Sequence, residues 1–190
     1  MSILLLGLIV FLGVHSVSIV APAWRDGMCA RLGEGAWKGG YSLVAAVGLA
    51  LLVWGYGRAR QQPVVLYAPP AGLRHAALLL MLPVPTLLLA AYLPGRLQRA
   101  AGHPMLVAVK LWALAHLLAN GTLADALLFG GFLAWAVADR ISLKRRPARP
   151  VPGAAASPAN DAIALVGGLA LYGLFVWRVH AWLIGVSPLG

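Results

Sequence analysis

Acidic side chains are scarce in this sequence, with five Asp and Glu against fifteen Lys and Arg in 190 residues, a formal net charge of +10. Charged residues of either sign amount to only 11%, while 61% of residues are hydrophobic and mean hydropathy is +0.84. A soluble fold of this length has no use for so much apolar surface, so an integral membrane protein lying in a lipid bilayer is expected. The single cysteine, Cys29, excludes an intrachain disulfide and a cysteine-built metal cluster, leaving histidine as the only soft ligand in quantity. The basic residues flank apolar runs instead of forming one sustained patch with base-stacking aromatics, which argues against nucleic acid as a partner. Also missing is a basic residue ahead of the first apolar run. Ala21-Pro22-Ala23 resembles a small-residue cleavage site, but the run is too long for a signal peptide and further spans follow, so it reads as a retained span.

What is present is an alternation of apolar runs and polar breaks that predicts an all-α, polytopic membrane bundle of about six helices, built as one domain over 1–190. Spans are expected at 3–23, 39–57, 76–93 and 162–184, with 24–38 and 94–102 as loops. The stretch from Pro104 to Ala138 supplies the fourth and fifth. As one helix its 35 residues would measure about 52 Å, too long for a hydrocarbon core of about 30 Å, so a turn is expected at Asn120-Gly121. Pro83 and Pro85 predict a kinked or unwound third span, and Asn160 and Asp161 are placed to cap the sixth. The Pro- and Ala-rich stretch 147–160 reads as a cytoplasmic linker, disordered from Pro147 to Ala159. Ten Lys and Arg fall in the odd-numbered loops against three in the even-numbered ones, so the odd loops are expected in the cytoplasm and both termini on the far side of a bacterial inner membrane.

Ionisable residues inside apolar spans are costly, and they are where function is sought. His15 lies about 18 Å into the first span, and His116 about 18 Å from the opposite side in the fourth, a depth difference of about 6 Å that helix tilt absorbs. Two independently hydrogen-bonded imidazoles, the first bound to a backbone carbonyl or to a nearby serine such as Ser18, are one reading of this pair; a proton relay or a shared ligand are the others. Asn120 stands one turn beyond His116 as a partner for it, and Trp112 shares that side of the helix. His103 precedes Pro104 at a helix start and shares a face with Lys110, seven residues on. Lys110 is expected to be a buried charge, with Asp125 and Asp139 available to neutralise it. Arg140, Lys144 and Arg145 gather nearby and suit lipid headgroups or an anionic cofactor. His75 and His180 fall near interfaces, as do the Gly39-Gly40-Tyr41-Ser42 start and the Trp54-Gly55-Tyr56 end of the second span.

The run HPMLVAVKLWALAHLLANG, followed by LFGGFLAWAVADRISLKRR, closely resembles the NnrU family of bacterial membrane proteins, and Gly13-Val14-His15-Ser16 fits it as well. The resemblance covers nearly the whole chain and implies a link to nitrogen-oxide metabolism in denitrifying bacteria. NnrU proteins are in turn similar to the plant cis-zeta-carotene isomerase, an integral membrane enzyme that depends on haem b held by histidines. The matching histidines here are His15 and His116, which that likeness makes haem-iron ligands, with Asn120 beside the second. Where the plant enzyme has a cysteine three residues before the second histidine, this chain has Ala113, so cysteine-based ligand exchange does not carry over. A second resemblance, of Gly102-His103-Pro104-Met105 to the Arg-His-Pro motif of membrane methyltransferases and sterol reductases, lacks the arginine and most of the following acidic residues. A third class is a non-enzymatic assembly or regulatory factor partnering respiratory nitrogen-oxide enzymes. Substrate, reaction and oligomeric state are not legible in the sequence.

Overall fold

Helices in this chain start and stop where local chemistry allows. A computed structural model describes residues 1–147, 149 and 151–189. In chain order the helices are α1 (Ser2–Val20), α2 (Pro22–Leu32), α3 (Glu34–Ala59), α4 (Ala71–Met81), α5 (Val84–Ala90), α6 (Arg96–Ala101), α7 (Pro104–Ala119), α8 (Leu123–Ser142), α9 (Asn160–Leu174) and α10 (His180–Ile184). A single wide turn of π-helix, Phe175–Val179, joins the last two. No strand occurs among the described residues, only an isolated bridge between Val65 and Thr122. The all-α membrane bundle expected from composition is what forms.

Four stretches are long and apolar enough to cross a membrane: α1, α3, the pair α4 and α5 taken together (Ala71–Ala90), and Asn160–Ile184. The other two expected spans differ in physical ways. Helix α7 has 16 residues, about 24 Å of rise, which falls short of a core about 30 Å thick. Helix α8 has the length, at 20 residues, but carries Asp125, Asp139 and Arg140. The break between α7 and α8 falls at Asn120 and Gly121 as expected, and Thr122 opens α8 with a reciprocal capping box to Asp125. The break between α4 and α5 sits at Leu82 and Pro83, where proline removes a ladder donor.

Three expectations about loops need correction. Residues 24–38 are not a loop: Pro22 at the first helical position starts α2, Gly33 at φ +81° stops it, and α3 begins at once. The 94–102 loop contains α6. Asn160 and Asp161 do not cap their own helix. Instead the Asp161 carboxylate accepts the N–H groups of Arg96 (2.9 Å) and Leu97 (3.0 Å), capping α6 from a distance in sequence, and the buried Asn160 amide donates to the carbonyls of Pro94 and Ala155. The 147–160 stretch has no helix before Asn160 among its described residues, yet it is pinned: Ala154 N–H donates to Tyr92 O at 2.9 Å.

The chain divides into two compact units. The first comprises Met1–Tyr67 and Gly121–Pro147. Within it α1 and α3 run antiparallel in close contact, because glycines remove the side chains that would separate them. A Cβ on Gly55 would come within 2.6 Å of Leu4 Cα, one on Gly7 within 2.6 Å of Leu52 N, and one on Gly48 within 2.8 Å of Phe11 N. Helix α8 lies along α1 in the same direction: Gly131 sits against Leu8 and Leu12, Phe132 against Phe11, and Trp135 against His15. Leu4, Leu8, Leu52, Ala59 and Ala124 form the buried centre. The strand-like segment at 64–67 is stitched to the start of α8 by Leu123 N–H to Val64 O and Leu66 N–H to Gly121 O, both 2.8 Å.

The second unit comprises Ala68–Asn120 and Ala148–Gly190. Helix α7 packs on α4 and α5, and α9 packs on α5. Gly168 of α9 lets the backbone at Thr86 approach so closely that a Cβ would meet Thr86 Cα at 2.5 Å, and Tyr172 donates its hydroxyl to Leu78 O at 2.9 Å.

Candidate functional site

His15, deep in α1, is surrounded by rings in its own unit. Its Nδ1 lies 2.7 Å from the Phe11 carbonyl one turn back. A carbonyl only accepts, so Nδ1 carries a proton, which leaves Nε2 as the ring nitrogen that can offer a lone pair. Phe11 stacks on the imidazole at 4.3 Å, Tyr41 of α3 meets it edge-on at 5.3 Å, and Trp135 of α8 stands at 89° to it with centroids 6.0 Å apart. Of the two partners expected for this ring, a backbone carbonyl or Ser18, it is a backbone carbonyl that binds it. The indole N–H of Trp135 is buried with no acceptor among the described residues, an uncommon and costly state for a donor.

His116, in the second unit, repeats the local arrangement. Its Nδ1 lies 2.8 Å from the Trp112 carbonyl, which fixes the same tautomer, and the Trp112 ring is tilted against it at 5.3 Å. Asn120 reaches this residue through the backbone, its amide donating to the His116 carbonyl at 2.9 Å. Both deep histidines thus use an i−4 carbonyl to orient the ring, as helical geometry permits without help from other elements. Among the described residues no group of three His, Cys, Asp or Glu could hold a metal ion. An axial haem ligand needs only a single imidazole nitrogen.

The remaining sequence-predicted residues fall into other roles. His103 is the N-cap residue of α7, with Pro104 following, and its carbonyl takes the first helical N–H groups, from Leu106 and Val107. Gly102, which stands where the methyltransferase-type motif has arginine, has φ +68° and ends α6, a backbone duty. Lys110 is half-buried, not buried, because its stem is long enough to carry the ammonium outward. The two carboxylates considered for it are committed in the other unit. Asp125, 4% exposed, accepts from Tyr56 Oη at 2.5 Å and from Thr122 N and Oγ1 at 3.0 and 2.6 Å. Asp139 pairs with Arg146 at 2.5 Å. His180 binds the Val186 carbonyl through Nδ1 at 2.7 Å beside the π-turn, and His75 lines an apolar groove with Leu78, Leu82 and Tyr172.

A model of the family described as NnrU protein matches residues 3–188. The chain belongs to the NnrU family. No curated protein and no solved structure matches it. This NnrU-family chain places Phe11, Tyr41 and Trp135 around His15, none of which the sequence assigns to it. Phe11 stands one turn before the histidine. Tyr41, at the start of the second apolar run, reads as an interfacial residue and instead meets the imidazole ring, while the only sign of Trp135 is an aromatic residue inside an apolar run.

Proposed function

We propose that this protein is an NnrU-type integral membrane protein of nitrogen-oxide metabolism, placed in a bacterial inner membrane with both termini on the periplasmic side, and that it carries haem b on histidine. Family membership over residues 3–188 is the observation that carries the metabolic assignment. The haem reading rests on the donor chemistry of His15 and His116, each taken in its own unit. In each, the Nδ1–H bond to an i−4 carbonyl leaves Nε2 as the basic nitrogen, the state in which imidazole ligates haem iron. Beside His15 the buried, unpaired Trp135 N–H supports a guest that brings an acceptor.

Bound haem supplies a redox-active or Lewis-acidic iron; the chain's share is to ligate, orient and exclude water. The Phe11, Tyr41 and Trp135 rings do the last two at His15, holding the imidazole plane and filling the space around it. A haem-dependent, isomerase-type activity fits this arrangement better than methyl transfer does, since Gly102 and His103 serve helix ends. The test is the visible spectrum of detergent-purified protein expressed with ample haem. A Soret band that is lost or shifted in His15→Ala and in His116→Ala is expected. No Soret absorbance, or a spectrum that both variants leave unaltered, overturns the haem reading and leaves the family assignment standing.

A further inference from the structure

Between the C-terminal ends of α1 and α8, inside the first unit, an open cleft of about 410 Å³ is lined by Ile19, Pro22, Ala138, Ile141, Ser142, Arg145 and Arg146. Four of these residues are apolar, and the other three bring two guanidinium groups and one hydroxyl. Arg146 is held in place, its guanidinium paired with Asp139, both side chains nearly buried. That pair is neutral as a unit. Arg145 is exposed and has no ion-pair partner among the described residues, so the cleft keeps one uncompensated positive charge at its rim.

We propose that this cleft binds one anionic phospholipid, with the headgroup phosphate against Arg145 and Ser142 and the start of an acyl chain along Ile19, Pro22 and Ile141. Three features favour an amphiphile over a free anion. The apolar part of the lining would be left wet by a phosphate ion alone. The volume lies at the low end of that of small-molecule sites, enough for a glycerophosphate head with its tails leaving into the bilayer. And the cleft adjoins the C-terminal end of α1, a helix long and apolar enough to cross a membrane.

The cleft can be tested in the full-length protein by native mass spectrometry from mixed phosphatidylglycerol and phosphatidylcholine micelles. Wild type is expected to retain phosphatidylglycerol in preference to phosphatidylcholine, one molecule per chain. Arg145→Ala is expected to lower that retention about fivefold, the factor for loss of one basic contact to an anionic surface. Arg145→Lys keeps most of it, and Lys144→Ala, one residue away and outside the lining, leaves it within about twofold. The proposal is overturned if Arg145→Ala retains the lipid, if Lys144→Ala loses as much, or if millimolar inorganic phosphate displaces the lipid. It is equally overturned if Arg145→Ala loses haem absorbance and not lipid, which would assign the cleft to haem carboxylates.

Discussion

Tyr56, near the end of α3, donates its hydroxyl to Asp125 at 2.5 Å, joining two helices whose nearest residues in sequence are more than sixty positions apart. The carboxylate is 4% exposed, and its second oxygen is taken by Thr122. Tyr56→Phe removes one donor and leaves a buried carboxylate oxygen short, a loss of about 1–3 kcal/mol. Thermal denaturation in detergent should show it. Combining it with Asp125→Asn is expected to cost less than the two separate losses together, because the residues share one interaction. A Tyr56→Phe protein as stable as wild type would show that the bond contributes nothing.

Gly55 and Gly130 of the first unit stand in opposite surroundings. Gly55→Ala drives a methyl into the Leu4 backbone, which cannot yield as a side-chain tip can, so the α1 and α3 pair must part. At Gly130 of α8 a methyl group would meet nothing within 4 Å, and Gly130→Ala is expected to be neutral or to stabilise by up to about 1 kcal/mol through helix propensity. Denaturation midpoints of the two variants should therefore move in opposite directions or by clearly different amounts. Equal effects would mean that the close approach of α1 and α3 is not what those glycines serve.

Asp161 belongs to α9 but caps α6, so its loss should be felt far away in sequence. Asp161→Ala is expected to speed hydrogen exchange at the Arg96 and Leu97 amides while leaving the first turn of α9 nearly unchanged. Faster exchange confined to residues after Asn160 would contradict the assignment.

How much of this was legible beforehand follows from the range of each interaction. Local signals worked: Pro104 after His103, the Asn120-Gly121 break, and the proline break at Pro83 are all decided within one helical turn. Asp161 misled for the same reason. Its position fits a cap on its own helix, and only folding shows that Gly95, lacking a side chain that would collide with the carboxylate, lets it serve α6 instead. Helix α2 hid because its composition, with Arg25, Asp26 and Arg31, looks like a loop between spans although nothing in it forbids a helix. At the candidate site, depth singled out His15 and His116, but the rings of Tyr41 and Trp135 reach His15 from helices that sequence spacing does not relate to α1.

Membrane orientation can be argued from the first unit alone, because the directions of its helices are fixed by contact. Helices α1 and α8 run the same way and α3 runs back, so the ends at Val20 and Ser142 and the start at Glu34 share one side. That side gathers Arg25, Arg31, Lys38, Arg140, Lys144, Arg145 and Arg146, against Arg58 and Arg60 at the other. Under the positive-inside rule such an excess of Lys and Arg is expected on the cytoplasmic face, the orientation proposed above. The single cysteine makes this measurable, since Cys29 lies in α2 on the basic side and is partly accessible. In right-side-out spheroplasts a membrane-impermeant maleimide is expected to leave Cys29 unlabelled until the membrane is opened. A Cys29→Ser, Arg60→Cys protein, with its cysteine moved to the opposite end of α3, should instead be labelled at once. Labelling of Cys29 in sealed spheroplasts, with protection of the residue at position 60, would reverse the orientation and place the basic cleft on the periplasmic side.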